Sequence, residues 1–215
     1  EYFRGDRKFT VFITQNSAGE LNDWILDYLK NQDTAINYFK ETVKSVFKNA
    51  VKTGAIKKET KVFHNPAADN TSKILYGINK WANDNGVDIV LHLHFNDYPG
   101  RAYDMPGKYS GFAIYIPDDQ LPNYRASSEI AKSIRQELKK NQTESNFLKE
   151  KDIIIEDQQL IAVGSNASRD GVSILLEYGY IYEPEFANKA ERTRALQQLA
   201  KQTYAGVKNF FEEAR

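Results

Sequence analysis

Apolar and polar residues follow each other along this chain in two rhythms, one with the period of a helix and one in short unbroken blocks, and the two alternate. The most apolar block is Val87-Asp88-Ile89-Val90-Leu91-His92-Leu93-His94-Phe95. Rich in branched residues and nearly unbroken, it reads as a strand buried on both faces, as strands of helix-covered parallel sheets are. Further strands are predicted at Phe9–Thr14, Lys61–His64, Gly111–Pro117, Asp152–Glu156, Leu160–Val163 and Gly171–Glu177. Between them lie helical stripes. Leu21 to Ala50 carries Trp24, Ile25, Tyr28, Leu29, Ile36, Phe39, Val43 and Phe47, broken in two near Asn31-Gln32-Asp33-Thr34. Ile74, Leu75, Ile78, Trp81 and Ala82 mark the next helix, which stops at Asn85-Gly86. Ser127–Lys140 is amphipathic, and the last helix opens at Asn188 with Glu191 three residues on, the spacing of a capping box. Asp97–Ser110, with Pro99-Gly100 and Pro106-Gly107, is a long loop. Strands alternating with helices predict a single α/β domain, a mostly parallel twisted sheet with helices on both faces.

Composition narrows this picture. A chain of 215 residues, 41% hydrophobic and 13% aromatic, can bury one substantial core. Its 29 basic and 29 acidic residues cancel, leaving no field to gather nucleic acid or an anionic membrane. There are no cysteines, which excludes disulfides, thiolate metal sites and a cysteine nucleophile. No apolar run reaches the roughly 20 residues that span a bilayer. The first residue is Glu1 rather than a methionine, and a processed or truncated product is expected.

Candidate chemistry sits at strand ends. In open α/β sheets ligands gather outside the carboxyl ends of strands, where His94 falls; His92 shares its parity but lies deeper. Glu177 stands inside Ile174-Leu175-Leu176-Glu177-Tyr178-Gly179-Tyr180-Ile181, and a carboxylate in such surroundings must be paired, protonated, metal-bound or facing a wet cleft. A structural ion pair is the plain alternative. A histidine and a glutamate converging from two strand ends would suit a metal ligand and a general base.

These residues carry a resemblance. Asn83-Asp84-Asn85-Gly86-Val87-Asp88-Ile89-Val90-Leu91-His92-Leu93-His94-Phe95-Asn96 resembles the "AN…aDlfiSiHaN" block of the zinc-dependent N-acetylmuramoyl-L-alanine amidases of the amidase-3 type, bacterial peptidoglycan hydrolases. Val172–Ile181 resembles that family's "vLvElGFisN" block, and Gly111-Phe112-Ala113-Ile114-Tyr115 its intervening "Gfe.yy" strand. The likeness runs in order from Ser72 to the C-terminus. It implies the amidase-3, phosphorylase/hydrolase-like fold, with His94 as a Zn²⁺ ligand and Glu177 as the catalytic glutamate. His92 stands where the family has a serine, and Tyr182-Glu183 replaces its usual Ser-Asn. The family's first zinc histidine, in a "DpGHGG" turn, and its zinc glutamate have no clear counterpart. If Phe9–Asn16 is the family's second strand, ending in Thr14-Gln15, those ligands are expected upstream of Glu1, and the 215 residues are one catalytic domain without its first strand. If it is the first strand, Gln15-Asn16-Ser17-Ala18-Gly19-Glu20 has replaced the histidine turn, and Glu20 is a substitute carboxylate. The Thr-Gln ending favours the former. His64, before Asn65-Pro66, is read as a loop residue.

The resemblance implies a cell-envelope enzyme, periplasmic or extracellular, whose partner is peptidoglycan. Its reaction is cleavage of the amide between N-acetylmuramic acid and L-alanine by a zinc-activated water. The rival expectation is an amidase-fold module without activity that binds cell-wall fragments or a partner.

Overall fold

In the computed structural model, which describes residues 1–59, 67–97, 101–102, 105–164 and 168–213, the apolar blocks assemble into a four-stranded sheet. Its strands are β1 (Ile89–Asn96), β2 (Ala113–Pro117), β3 (Ile154–Asp157) and β4 (Val172–Tyr180), in the order β1-β4-β2-β3. β1 is parallel to β4 and β2 to β3, while β2 and β4 run antiparallel. The helices are α1 (Tyr2–Gly5), α2 (Asp23–Asn31), α3 (Asp33–Lys52), α4 (Asp69–Asp84), α5 (Tyr124–Leu138), α6 (Pro184–Ala187) and α7 (Lys189–Glu213). The single α/β domain with a mostly parallel open sheet is the one expected from the alternating pattern.

Every residue of β4 is buried, so it is the strand around which the layers form. One face, carrying Ile114, Ile116, Ile174 and Leu176, packs on Ile130, Ile134 and Leu138 of α5 and on Leu199 and Val207 of α7. Those two helices meet closely because Gly206 has no side chain: a Cβ there would come within 2.5 Å of the Ile134 Cα. The opposite face presents Ala113, Tyr115, Ile155 and Leu175, covered by Val163 and Leu160. α4 backs this cover through the Asn79 amide, which donates to the Ile161 carbonyl at 2.8 Å, and α3 packs Ile36 and Val43 beside Tyr76.

Local signals acted as their chemistry dictates. Gly86, in the left-handed region at φ 58°, ends α4 directly before β1. Asn188 accepts the Ala190 amide at 2.9 Å and donates to Glu191 at 3.4 Å, which stabilises the start of α7. Among the described residues no helix is long and apolar enough to cross a membrane.

Three expectations change. Phe9–Thr14 does not join the sheet. Phe9 packs on Phe3, Tyr204 and Phe211, and Phe12 on Trp24 and Trp81, while the Ile13 carbonyl accepts the Asn22 amide at 2.7 Å and the Trp24 indole at 3.1 Å. Those side-chain donors occupy an acceptor that a neighbouring strand would need. Leu160–Val163 is not a strand either: the Asp157 carboxylate accepts the amides of Gln159 and Leu160 at 2.6 and 2.8 Å, bending the chain into a 3-10 turn at Ile161–Val163. β1 is not buried on both faces but lies at the sheet edge, with Leu93 55% exposed. The predicted strand Lys61–His64, with His64, lies outside the described residues.

Candidate active site

Parallel pairing of β1 with β4 sets His94 directly beside Glu177 and His92 beside Leu175. Since residues in register share a face, both histidines and Glu177 point to the face that carries Ala113 and Tyr115 of β2. Sequence spacing alone could not set this register, because 83 residues separate the two side chains. The sheet brings His94 Nδ1 to 3.9 Å from Glu177 Oε1.

The pair is not an ion pair in character. Glu177 is 9% exposed, and burial, reinforced by the charge of Glu150, pushes its carboxyl up to about 7. Burial also holds the His94 imidazole below its ordinary range, although that side chain is half exposed. A neutral imidazole beside a carboxyl that titrates near neutrality suits ligation and proton transfer better than a permanent salt bridge does. The second oxygen of Glu177, Oε2, is buried and has no hydrogen-bond partner. His92 lies one turn of the pleat deeper, with its buried Nε2 unpartnered; burial first, then the competing protonation of His94 and the charge of Arg169, hold its ring well below the usual imidazole range. It flanks the site rather than completing it.

The walls come from loops. Arg101 donates to Asp97 at 2.6 and 3.0 Å and lies over the Tyr182 ring at 5.0 Å, fixing the start of the Asp97–Ser110 loop against the chain after β4. Tyr109 stacks at a tilt on Phe147 at 4.6 Å and stands 6.2 Å from Tyr180. Glu183 accepts the Tyr180 amide at 2.6 Å and the Gly111 amide at 3.1 Å, so the acid that departs from the family's pattern is a buried clip between the end of β4 and the start of β2. The pattern in sequence gave no sign of Glu150. It is buried at 3% exposure, receives hydrogen bonds from the Tyr115 and Ser145 hydroxyls, and acts electrostatically on Glu177.

A divalent metal fits this place in part. The orphaned Glu177 oxygen and a neutral, accessible imidazole are the right donor chemistry. Among the described residues, however, no third histidine or carboxylate joins them; the one three-residue group close enough to hold an ion is Asp118, Asp119 and Glu156. Those acids follow β2 and end β3, and the antiparallel β2–β4 pairing puts them at the opposite end of the sheet. Glu20, the alternative carboxylate, is exposed and hydrogen-bonded within its own turn, to Asn16.

Comparison with known proteins identifies the family. Residues 40–209 match the family described as N-acetylmuramoyl-L-alanine amidase (Amidase_3). No curated protein sequence matches. Among solved structures, the apo form of the N-acetylmuramyl-L-alanine amidase Ami1 from Mycobacterium abscessus superposes with a TM-score of 0.50 at 11% identity, covering 94% of this chain and 84% of that one. Ami1 from Mycobacterium smegmatis gives 0.49 at 14% identity over 93% and 81%. The CwlD amidase of Clostridioides difficile, solved in complex with the GerS lipoprotein, gives 0.48 at 15% identity over 83% and 85%. At 11% identity the likeness to the Mycobacterium abscessus structure speaks to fold alone, and it is the sequence match across most of the chain that assigns the family. With residues 40–209 of its 215 residues matched, the chain belongs to the Amidase_3 family of N-acetylmuramoyl-L-alanine amidases.

Proposed function

We propose that this peptidoglycan hydrolase cleaves the amide between the lactyl group of N-acetylmuramic acid and L-alanine with Glu177 as its general base and acid and His94 as one ligand of a zinc ion. The observation that carries the reading is Glu177: a carboxyl on the central buried strand, raised to about 7, with one oxygen unpartnered and the other 3.9 Å from the His94 imidazole. A general base works best when it titrates near the operating pH. Glu177 as carboxylate takes a proton from the attacking water as its oxygen adds to the amide carbon. The carboxyl then delivers that proton to the alanine nitrogen as the C–N bond breaks, leaving a regenerated base and a lactyl carboxylic acid whose remaining proton passes to the released amine, giving a carboxylate and an ammonium group. A bound zinc ion would supply Lewis-acid activation of the water and of the amide carbonyl. His94 suits ligation because burial keeps its ring neutral. The rings of Tyr109, Phe147 and Tyr182 beside β4 offer flat apolar walls to a sugar or peptide, and the substrate places the enzyme in the cell envelope.

The two-donor site favours one rival: a module that keeps the fold and binds cell-wall fragments without cleaving them. Muropeptide release assayed with zinc present, for the native chain and for Glu177→Gln, separates the two. The enzyme reading expects amide cleavage that drops by at least about 100-fold in the variant. Turnover equal to the native chain's would sink the role of Glu177, and no cleavage by either would favour the binding module.

A further inference from the structure

The two strands that carry the pair leave it side by side. Asn96, two residues after His94, lies opposite Tyr180, three after Glu177, and its carbonyl accepts the Ile181 amide at 2.9 Å. A step further on, Arg101 repeats this link with side chains. Its Nε and Nη2 donate to the two oxygens of Asp97 at 2.6 and 3.0 Å, and its guanidinium stands over the Tyr182 ring at 5.0 Å. Its Nη1 donates to the carbonyls of Ala102 and Met105 at 3.1 and 3.0 Å. One planar fork therefore fixes the exits of both strands together with the chain that follows Met105.

Gly107 completes the contact. Its backbone is not in the left-handed region, so conformation does not call for glycine there; space does, because a Cβ would overlap the Tyr182 ring. From Gly107 the chain runs to Tyr109, tilted on Phe147 at 4.6 Å and 6.2 Å from Tyr180, and to Ser110, whose amide donates to the Asn146 side chain at 3.0 Å. Met105–Ser110 is thus fastened at both ends beside the end of β4. Met105, Tyr109 and Tyr182 stand outside the described apolar clusters that join the sheet to its helices. A guanidinium side chain left only 12% exposed is costly to desolvate. Here it orders the wall next to the His94–Glu177 pair rather than the core.

We propose that Arg101 is a positioning residue of the hydrolase: through Asp97, Tyr182 and Gly107 it holds Met105–Ser110 as a standing wall beside His94 and Glu177, so that a peptidoglycan fragment meets a surface already ordered. Binding then carries no cost for ordering that wall. This rests on the peptidoglycan reading above, but not on cleavage. The test therefore uses the full chain with Glu177→Gln, in which cleavage is suppressed, and zinc present. It measures the dissociation constant for a soluble muropeptide, a disaccharide with its stem peptide, together with amide exchange over residues 105–110 and the unfolding temperature. Arg101→Lys keeps the charge but neither the fork nor the stacking plane. It is expected to weaken binding about tenfold and to speed exchange in the wall, at an unchanged unfolding temperature. Tyr182→Phe keeps the ring and the affinity. Tyr182→Ser loses affinity and protection, and Arg101→Lys added to it weakens binding no further, because both act through one contact. Unchanged affinity in Arg101→Lys overturns this inference alone, as do losses that multiply in the double variant. Slow exchange alongside weakened binding overturns it too, since Arg101 would then touch the substrate directly, and so does a loss that tracks a fall in unfolding temperature. If Arg101→Lys does not fold, the contrast between Tyr182→Ser and Tyr182→Phe decides by the same readings. A Glu177→Gln chain that binds no muropeptide overturns the peptidoglycan reading and this inference with it.

Discussion

Replacing Glu177 by glutamine should make the metal-free protein more stable while removing its activity, and the gain should depend on pH in a defined way. The Glu177 carboxyl has an ordinary value of 4.5 and is pushed up to about 7 in the fold, first by burial and then by the charge of Glu150. In the unfolded chain it ionises freely above 4.5, whereas the folded protein resists ionisation until about 7. A raised acid therefore leaves stability intact below 4.5 and withdraws it as pH climbs to 7, after which the penalty is constant. At about 1.4 kcal/mol for each tenfold change in proton affinity, the full penalty is about 3 kcal/mol. Glu177 is 9% exposed, so solvent screening takes little from this figure. The amide that replaces the carboxylate carries no charge to desolvate. For a chain of this length a gain of that size raises the unfolding temperature by about 6–12 °C. The assay is thermal or urea unfolding of both proteins from pH 4 to pH 8.5, with EDTA present so that no bound cation pulls the carboxyl down. The difference should be near zero at pH 4, grow through pH 5–7 and level off above. Parallel stability curves across that range would refute the claim that burial of Glu177 is costly, and with it the physical basis for its role as a base.

Other consequences of the fold are open to direct measurement. Asn83→Ala removes the acceptor of the buried Arg169 guanidinium and of the Asp170 amide, and the donor to the Ser168 carbonyl; urea unfolding should show a loss of about 2–4 kcal/mol, with no loss counting against the clamp. Gly206→Ala sets a methyl group against the Ile134 backbone where α5 and α7 touch, and calorimetry should register about 1–3 kcal/mol of overpacking, far more than an exposed helical glycine-to-alanine change. Tyr178→Phe deletes the 2.7 Å hydroxyl contact with Thr203 inside the core and is expected to cost about 1 kcal/mol in equilibrium unfolding while leaving hydrolysis unchanged.

The order of strands and helices, the break near Gln32, the stop at Gly86 and the cap at Asn188 are local matters, and the sequence determines them because each depends on neighbours within a few residues. His94 and Glu177 were legible for a related reason: a histidine at the end of an apolar block and an acid within another stand out against their surroundings. What only the tertiary structure decided is everything set by partners far along the chain. Phe9–Thr14 has the composition of a strand, but its rings find α7 and α4, and side-chain donors fill an acceptor of its backbone. β1 looks like a strand buried on both faces, yet pairing with β4 alone leaves it at the edge. Glu150 lies in a polar segment indistinguishable from a surface loop, because its burial comes from Tyr115, Asn96 and Ser145, donors on three separate segments. The same holds for the central pair: sequence supplies a histidine and a glutamate, but the 3.9 Å between them and the titration of Glu177 near 7 arise from parallel register and from a low-dielectric environment that many distant residues build together.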